Sequence, residues 1–374
     1  MKADSAFKIK ISKKIEELPA GDWNKIFPPA LENYFFFKTL DESGLKQFSF
    51  FYILIYENNA PVAATSCFTM NFPFDVTVSG WLKKVLRPFK KILSPRVLMC
   101  GLPMGQGRIG IKGDQEAIMD VICDSLETIA RNERASVIIF KDFNSSYNNT
   151  LMPLSRKGFF KIESLPSTEM DVNFGSFEGF LKSLDSVSRS DLRRNFRKVD
   201  AKARLDLEIT NVLSDEVLDQ AYALYLQVLN NHEVSLEELT RDFFKNISKN
   251  MPGEARFFLW RLNGRLVAFA FCLVSGDYFI DYYLGFDYSV SREYYLYFTR
   301  FRDLMNWCIG QGIKKYEMGP TGYEAKKKLG FSFIRLYFYI KHRNPVMNFI
   351  FKALGPVLSP KNFEPIFKKL KNTE

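Results

Sequence analysis

"FFLWRLNGRLVAFAFCL", Phe257–Leu273, and "FYILIYENNAPVAATSCF", Phe51–Phe68, carry the same pattern. Each is an apolar run, a turn and a second apolar run. The turn of the first is Asn263-Gly264, a strong hairpin signal, and that of the second is Asn58-Asn59. Val267-Ala268 answers Val62-Ala63, and Cys272 answers Cys67, each at an offset of 205 residues. One period of this length points to a tandem duplication, because solenoid units are far shorter.

The repeat continues outward from the hairpins. In the first half a helical pattern, QEAIMDVICDSLETIARNER, precedes a strand-like SVIIF, a loop, RKGFF and a further strand-like run to Val172. In the second half the helix is EYYLYFTRFRDLMNWCIGQG, the strand KKYEM, and after a loop KKLGFSF leads into RLYFYIKH. The expectation is an α+β fold of two similar units, each a mixed central sheet with flanking helices. The units are expected at residues 1–170 and 171–345, followed by a basic, apolar tail over 346–374.

The chain of 374 residues is 47% hydrophobic and 16% aromatic, enough for two ordinary cores. A net charge of +10 favours polyanionic partners: RNA, an acidic carrier protein, nucleotide phosphates or anionic lipid. Cys67, Cys100, Cys123, Cys272 and Cys308 form no CxxC pair and read as small buried hydrophobes. With only His232 and His342, a histidine triad or a histidine-rich metal site is not expected. The start, MKADSAFKIKISKK, holds no apolar signal-peptide core, and no stretch reaches the ~18–20 apolar residues of a membrane span. The expected location is the cytosol or the inner face of a membrane.

The stretch EMGPTGYEAKKKLGF, Glu317–Phe331, invites comparison with a phosphate-binding loop. That loop needs Gly, four residues, then Gly-Lys-Ser/Thr. Gly319 and Gly322 are too close together, and Tyr323 stands where the lysine belongs.

Hairpin, long helix, strand, Tyr/Lys loop and Gly-Phe together resemble the GNAT acyltransferase fold. The tandem copy, with the basic helix SRSDLRRNFRKVDAKAR opening its second half, is similar to the FemAB/FemX-like and BioF2-like N-acyltransferases. The resemblance implies two GNAT-like domains, the second catalytic. It implies transfer of an acyl or aminoacyl group to an amine, on a cell-envelope or lipid-linked acceptor. It implies no permanently bound cofactor; the donor substrate is acyl-CoA, acyl-carrier protein or aminoacyl-tRNA, the last making the protein a peptidyltransferase of the FemX type. The sequence departs from the GNAT pattern where a glycine-rich turn should receive the coenzyme A pyrophosphate. FDYSVSREYYL has no glycine there, although Arg292 supplies charge. In the first half, GQGRIGIKGD (Gly105–Asp114) has the glycine and base to wrap a phosphate. A non-catalytic RNA-binding module is the alternative class, but no RNP or KH signature is present.

Transfer to an amine needs a proton acceptor, an oxyanion donor and an aid to the leaving group. Glu317 ends the strand KKYEM, and Tyr323 lies in the loop behind it. On DYFIDYYLGF, strict alternation puts Asp281 and Tyr283 on one face and Tyr282 on the other. Glu317, Tyr323, Asp281 and Tyr283 are the candidate catalytic residues. Lys326 and Lys328 are expected to meet acidic substrate groups, and Lys327 to face solvent. On the basic helix, Leu192, Phe196, Val199 and Ala203 form an apolar stripe flanked by Arg193, Arg194 and Arg197 as anion-binding candidates. The insert WLKKVLRPFKKIL, within residues 80–95, is expected to lie on an anionic membrane through Trp81, Lys83, Lys84, Phe89 and Lys90. Pro88 argues against one unbroken helix there.

Overall fold

The computed structural model describes residues 7–29, 31–72, 95–202, 204–231 and 237–356. The membrane-contact candidates of the insert, Ala203 of the basic helix and tail residues 357–374 lie outside them.

The chain forms two compact units, each built around one mixed sheet. The first unit holds β1 (Phe7–Ser12), β2 (Ser49–Glu57), β3 (Ala60–Asn71), β4 (Arg96–Cys100), β5 (Ile109–Ile111), β6 (Val137–Asn144) and β7 (Phe160–Glu163). The second holds β8 (Ser167–Asp171), β9 (Asp206–Thr210), β10 (Ala255–Leu262), β11 (Arg265–Ser275), β12 (Tyr278–Phe286), β13 (Lys315–Met318) and β14 (Ser332–Ile334). The final strand, β15 (Leu336–His342), returns to the first sheet.

The hairpins read from sequence are β2–β3 and β10–β11. Asn58, Asn59, Asn263 and Gly264 all adopt positive φ, the backbone that a two-residue hairpin turn requires. The copies share an irregularity. A bulge falls between Ile55 and Tyr56 in one and between Trp260 and Arg261 in the other, again 205 residues apart.

Strand order in the first unit is β1-β2-β3-β4-β6-β15-β7, with β5 also on β3. In the second it is β14-β8-β13-β12-β11-β10-β9. Among the described residues each sheet has one parallel pair, β4 with β6 and β12 with β13. The expected divisions at 170 and 345 need correction. β8 follows β7 closely yet pairs with β13 and β14, while β15 follows β14 closely yet pairs with β6 and β7. The last strand of each repeat is thus exchanged. The first unit runs to Pro166 and resumes at Arg335, and the second is essentially Ser167–Ile334.

Helices cover both faces of each sheet. In the first unit the helix Gln115–Asn132 buries Ile118, Ile122, Leu126 and Ile129 against one face. On the other, Trp23 packs edge-on to Phe37 and to Tyr52 of β2. In the second unit the helices Ser186–Asp200 and Leu296–Gly310 share one core, to which Leu192, Phe196, Val199, Phe301 and Leu304 belong. The helices Asp215–Asn231 and Arg241–Asn250 pack on the opposite face through Tyr225, Phe243 and Phe244. All five cysteines are buried free thiols.

The glycine-rich stretch Gly105–Asp114 contains β5, and two of its glycines admit a neighbouring backbone. A Cβ on Gly107 would lie 2.2 Å from the Lys141 carbonyl oxygen, and one on Gly110 2.0 Å from that of Ile26. The Asp114 carboxylate takes the backbone N–H groups of Glu116 and Ala117, which places a negative charge where an anion would dock.

Candidate active site

The parallel pair of the second unit matches Tyr278 with Lys315, Phe279 with Tyr316, Ile280 with Glu317 and Asp281 with Met318. There the pairing ends. β12 continues to Phe286 beside β11, while the chain leaves β13 into Gly319 and Pro320. The strands part at their carboxyl ends, the position at which open sheets present ligand sites.

Asp281 points toward the helix Leu296–Gly310. Its carboxylate accepts from Arg300 Nη1 at 2.6 Å and from the Tyr316 hydroxyl at 3.1 Å. Both partners of the ion pair are buried, with side chains 2% and 1% exposed. Burial alone would loosen the Arg300 proton, but Asp281, with Tyr316 and Tyr297, more than offsets it. Burial and the Asp281 charge push the Tyr316 phenol well up. Arg300 Nε, Arg300 Nη2 and the Tyr297 hydroxyl are buried with no hydrogen-bond partner among the described residues.

The loop after β13 folds into a short helix, Tyr323–Lys328, introduced by Thr321 and Gly322 at positive φ. This geometry separates the three lysines. Lys326 is buried, Lys327 exposed and Lys328 half-buried. The Lys326 ammonium donates to the carbonyls of Gly319 and Pro320. Burial pulls its pKa down to about 7, with Arg300 pushing the same way and Asp281 and Glu317 opposing. Lys326, expected to meet an acidic substrate group, is thus buried and held by the carbonyls that follow β13.

Glu317 lies on the other face of β13 from Tyr316. Its carboxylate accepts from Ser167 at 2.8 Å and from the Tyr278 hydroxyl at 2.5 Å. Tyr323 is buried, its ring edge-on to Phe333. Tyr283 requires a correction. A bulge pairs Phe271 with Tyr283 but Cys272 with Asp281, so Tyr282 is the additional residue and Tyr283 turns to the opposite face from Asp281. There its hydroxyl donates to Glu237 at 3.1 Å, its ring meets Tyr225, and burial and the Glu237 charge push its pKa well up.

The basic residues are less free than their clustering suggested. Lys328 is paired with Asp191, as is Arg194. The Lys328 bond holds the Asp191 carboxyl below its usual range. Arg193 is paired with Glu178. Arg197, which donates to the Arg193 carbonyl, is exposed, as are Lys198 and Arg292. A cavity of about 720 Å³ in this unit is lined by Asp200, Arg204, Asp206, Arg302, Asp303 and Trp307 among others, and by none of Asp281, Glu317, Tyr323 or Lys326.

The structure therefore sets Lys326 within electrostatic reach of Asp281, Arg300 and Glu317, with Asp281 and Glu317 on opposite faces of the sheet, and leaves Tyr283 with Glu237. It adds Arg300, Tyr316 and Tyr297, which the sequence reading missed. A signal for Arg300 was present: Leu296, Arg300, Leu304 and Cys308 recur every four residues, so this arginine stands in the buried row of its helix.

Residues 186–327 match the Acetyltransferase (GNAT) domain family. A Mycobacterium tuberculosis protein (strain H37Rv), provisionally named 8-amino-7-oxononanoate synthase 2, is 20% identical over 326 residues; the match takes in 83% of this chain. The chain spans 42% of that relative's length. Among solved structures, FemX superposes with a TM-score of 0.56 at 13% identity, covering 89% of this chain and 96% of its own. A tandem GNAT protein from the clavulanic acid biosynthesis pathway gives 0.51 at 10% identity, covering 91% and 99%.

Proposed function

Because the chain carries a GNAT acetyltransferase domain over residues 186–327 within a tandem GNAT-like fold, we propose that it transfers an acyl group from a thioester to an amine, with the chemistry centred on Lys326. The observation that carries this reading is a lysine buried beside an Asp–Arg–Tyr cluster, where two parallel strands separate, and held near neutrality. A neutral Lys326 amine can take the proton from the attacking nitrogen. As the new N–C bond forms, the carbonyl becomes a tetrahedral oxyanion. Its collapse breaks the C–S bond, and the thiolate leaves. Asp281, Arg300 and Tyr316 act as positioning residues that fix the end of β13, whose following carbonyls, those of Gly319 and Pro320, hold Lys326. Acyl-CoA is the first donor to try, with the exposed Arg292 just before the helix Leu296–Gly310 available to its diphosphate. Exposed Arg197 and Lys198 on the basic helix support a second reading, with aminoacyl-tRNA as donor to an envelope-precursor amine.

The test is donor consumption. The protein is incubated with acyl-CoAs of graded length, an acylated carrier protein and charged tRNA, each with a panel of amine acceptors. Release of free thiol with mass gain on the amine supports the first reading. Loss of the aminoacyl ester with mass gain supports the second. If no donor is consumed with any acceptor, both fall.

A further inference from the structure

The helix Pro345–Leu354 of the first unit is inverted relative to the other helices. The helix Gln115–Asn132 turns its isoleucines and leucines inward. This one buries no residue completely, and it leaves Val346 68%, Phe349 74%, Ile350 40% and Leu354 48% exposed. At 100° per residue, Val346, Met347, Phe349, Ile350, Ala353 and Leu354 fall within an arc of about 160°. The seat of the helix is largely polar. Asn348 donates to the Gly158 carbonyl at 2.9 Å and accepts from the His342 N–H at 2.8 Å, and the Phe351 ring lies edge-on to His342. The Asn344 carboxamide caps the first turn. The helix is thus fixed in an orientation that holds its apolar face outward.

We infer that this face docks the protein on an anionic lipid bilayer. Charge selects that occupant. Residues 336–363 contain no Asp or Glu, and the chain carries +10 overall. Lys341 and Arg343 are engaged by Glu127, but Lys352 stands exposed at the rim of the arc beside Phe349. Size argues against a second copy. The apolar face is confined to one helix about 15 Å long, a fraction of the roughly 800 Å² per partner that a stable interface buries. A bilayer needs no complementary shape, and it accepts Phe, Ile, Leu and Val at the level of its headgroups. The segment is too short to cross a membrane, and none of the described helices is long and apolar enough to do so. The inference rests on neither the acyl-transfer reading nor the insert at residues 80–95.

Co-sedimentation of the full chain with vesicles tests it. Wild type should pellet with phosphatidylglycerol-rich vesicles, far less with phosphatidylcholine alone, and be partly released by salt. The double variant F349E/I350E should bind at least about tenfold more weakly, because it places two charges in the apolar arc. K352E should weaken binding less. Both positions of the double variant are exposed, so its melting temperature should match wild type, as should its transfer rate to a soluble amine. Three results would overturn the inference: wild type that ignores anionic vesicles, F349E/I350E that binds them equally well, or F349E/I350E that converts a dimer to a monomer.

Discussion

In the proposed transfer the chemistry turns on Lys326, and the titration of this residue gives two independent observables. In the unfolded chain a lysine keeps its proton to about pH 10.4. In the folded protein Lys326 releases it at about 7. Between these values the unfolded state binds the additional proton, so this group's contribution to stability rises with pH over that window. Relative to Lys326→Met, wild type should therefore gain stability from pH 7 to pH 10, as read from urea midpoints. A difference that stays flat would mean the ammonium is not desolvated. As a proton acceptor, Lys326 should make kcat/KM climb through about pH 7 and then level off. Lys326→Met should lower turnover by about 10²–10⁴-fold, the usual range for a lost general base, and Lys326→Arg, which cannot titrate, should fail similarly. The sequence placed this lysine in one candidate site with Tyr323 and Glu317, but expected it, with Lys328, to meet acidic substrate groups. Exposure along three consecutive lysines is decided by the short helix that follows Gly322, and the run of letters alone does not contain that turn.

At the level of elements, the Asp281–Arg300 pair binds β12 to the helix Leu296–Gly310 within the buried core. Removing one member of such a pair leaves the other charge buried without compensation, at a cost of about 3–5 kcal/mol, whereas apolar replacement of both is often tolerated. Asp281→Ala should therefore lose stability on that scale in a urea titration, and D281L/R300M should recover most of it. Equal loss in both variants would show that packing, not the uncompensated charge, governs the site. The hairpins, the long helices and the Gly-Phe junctions were all legible, because turn chemistry and apolar period are local properties. The face of Tyr283 was not. One additional residue at Tyr282 reverses the alternation, and a bulge is a property of how two strands pair, not of either strand. The role of Gly107 and Gly110 was hidden for a related reason: they admit a neighbouring backbone, from Lys141 and Ile26, distant in sequence.

Across the whole molecule, the duplication was visible as a constant offset, but the exchange of β8 and β15 was not. The segments that follow both Gly-Phe junctions are similar strand formers, and nothing local says which sheet each will join. The exchange makes each repeat incomplete by itself. A chain ending after Ile334 retains every residue of the matched GNAT region yet lacks β15, which lies between β6 and β7. It should aggregate or expose dye-binding apolar surface, and supplying residues 335–374 as a separate polypeptide should recover soluble protein. A chain truncated after Ile334 that melts cooperatively at the wild-type temperature would show that β15 is dispensable. The exchange also fixes a timetable for synthesis. β7 emerges from the ribosome early but has no neighbour until the chain has grown by some 170 further residues and delivered β15. Over that interval the edge of β6 that receives β15 has no partner strand. The newborn first repeat is thus a natural client for a chaperone, and rare codons or a pause before Leu336 would prolong its exposure, with no change to the finished protein.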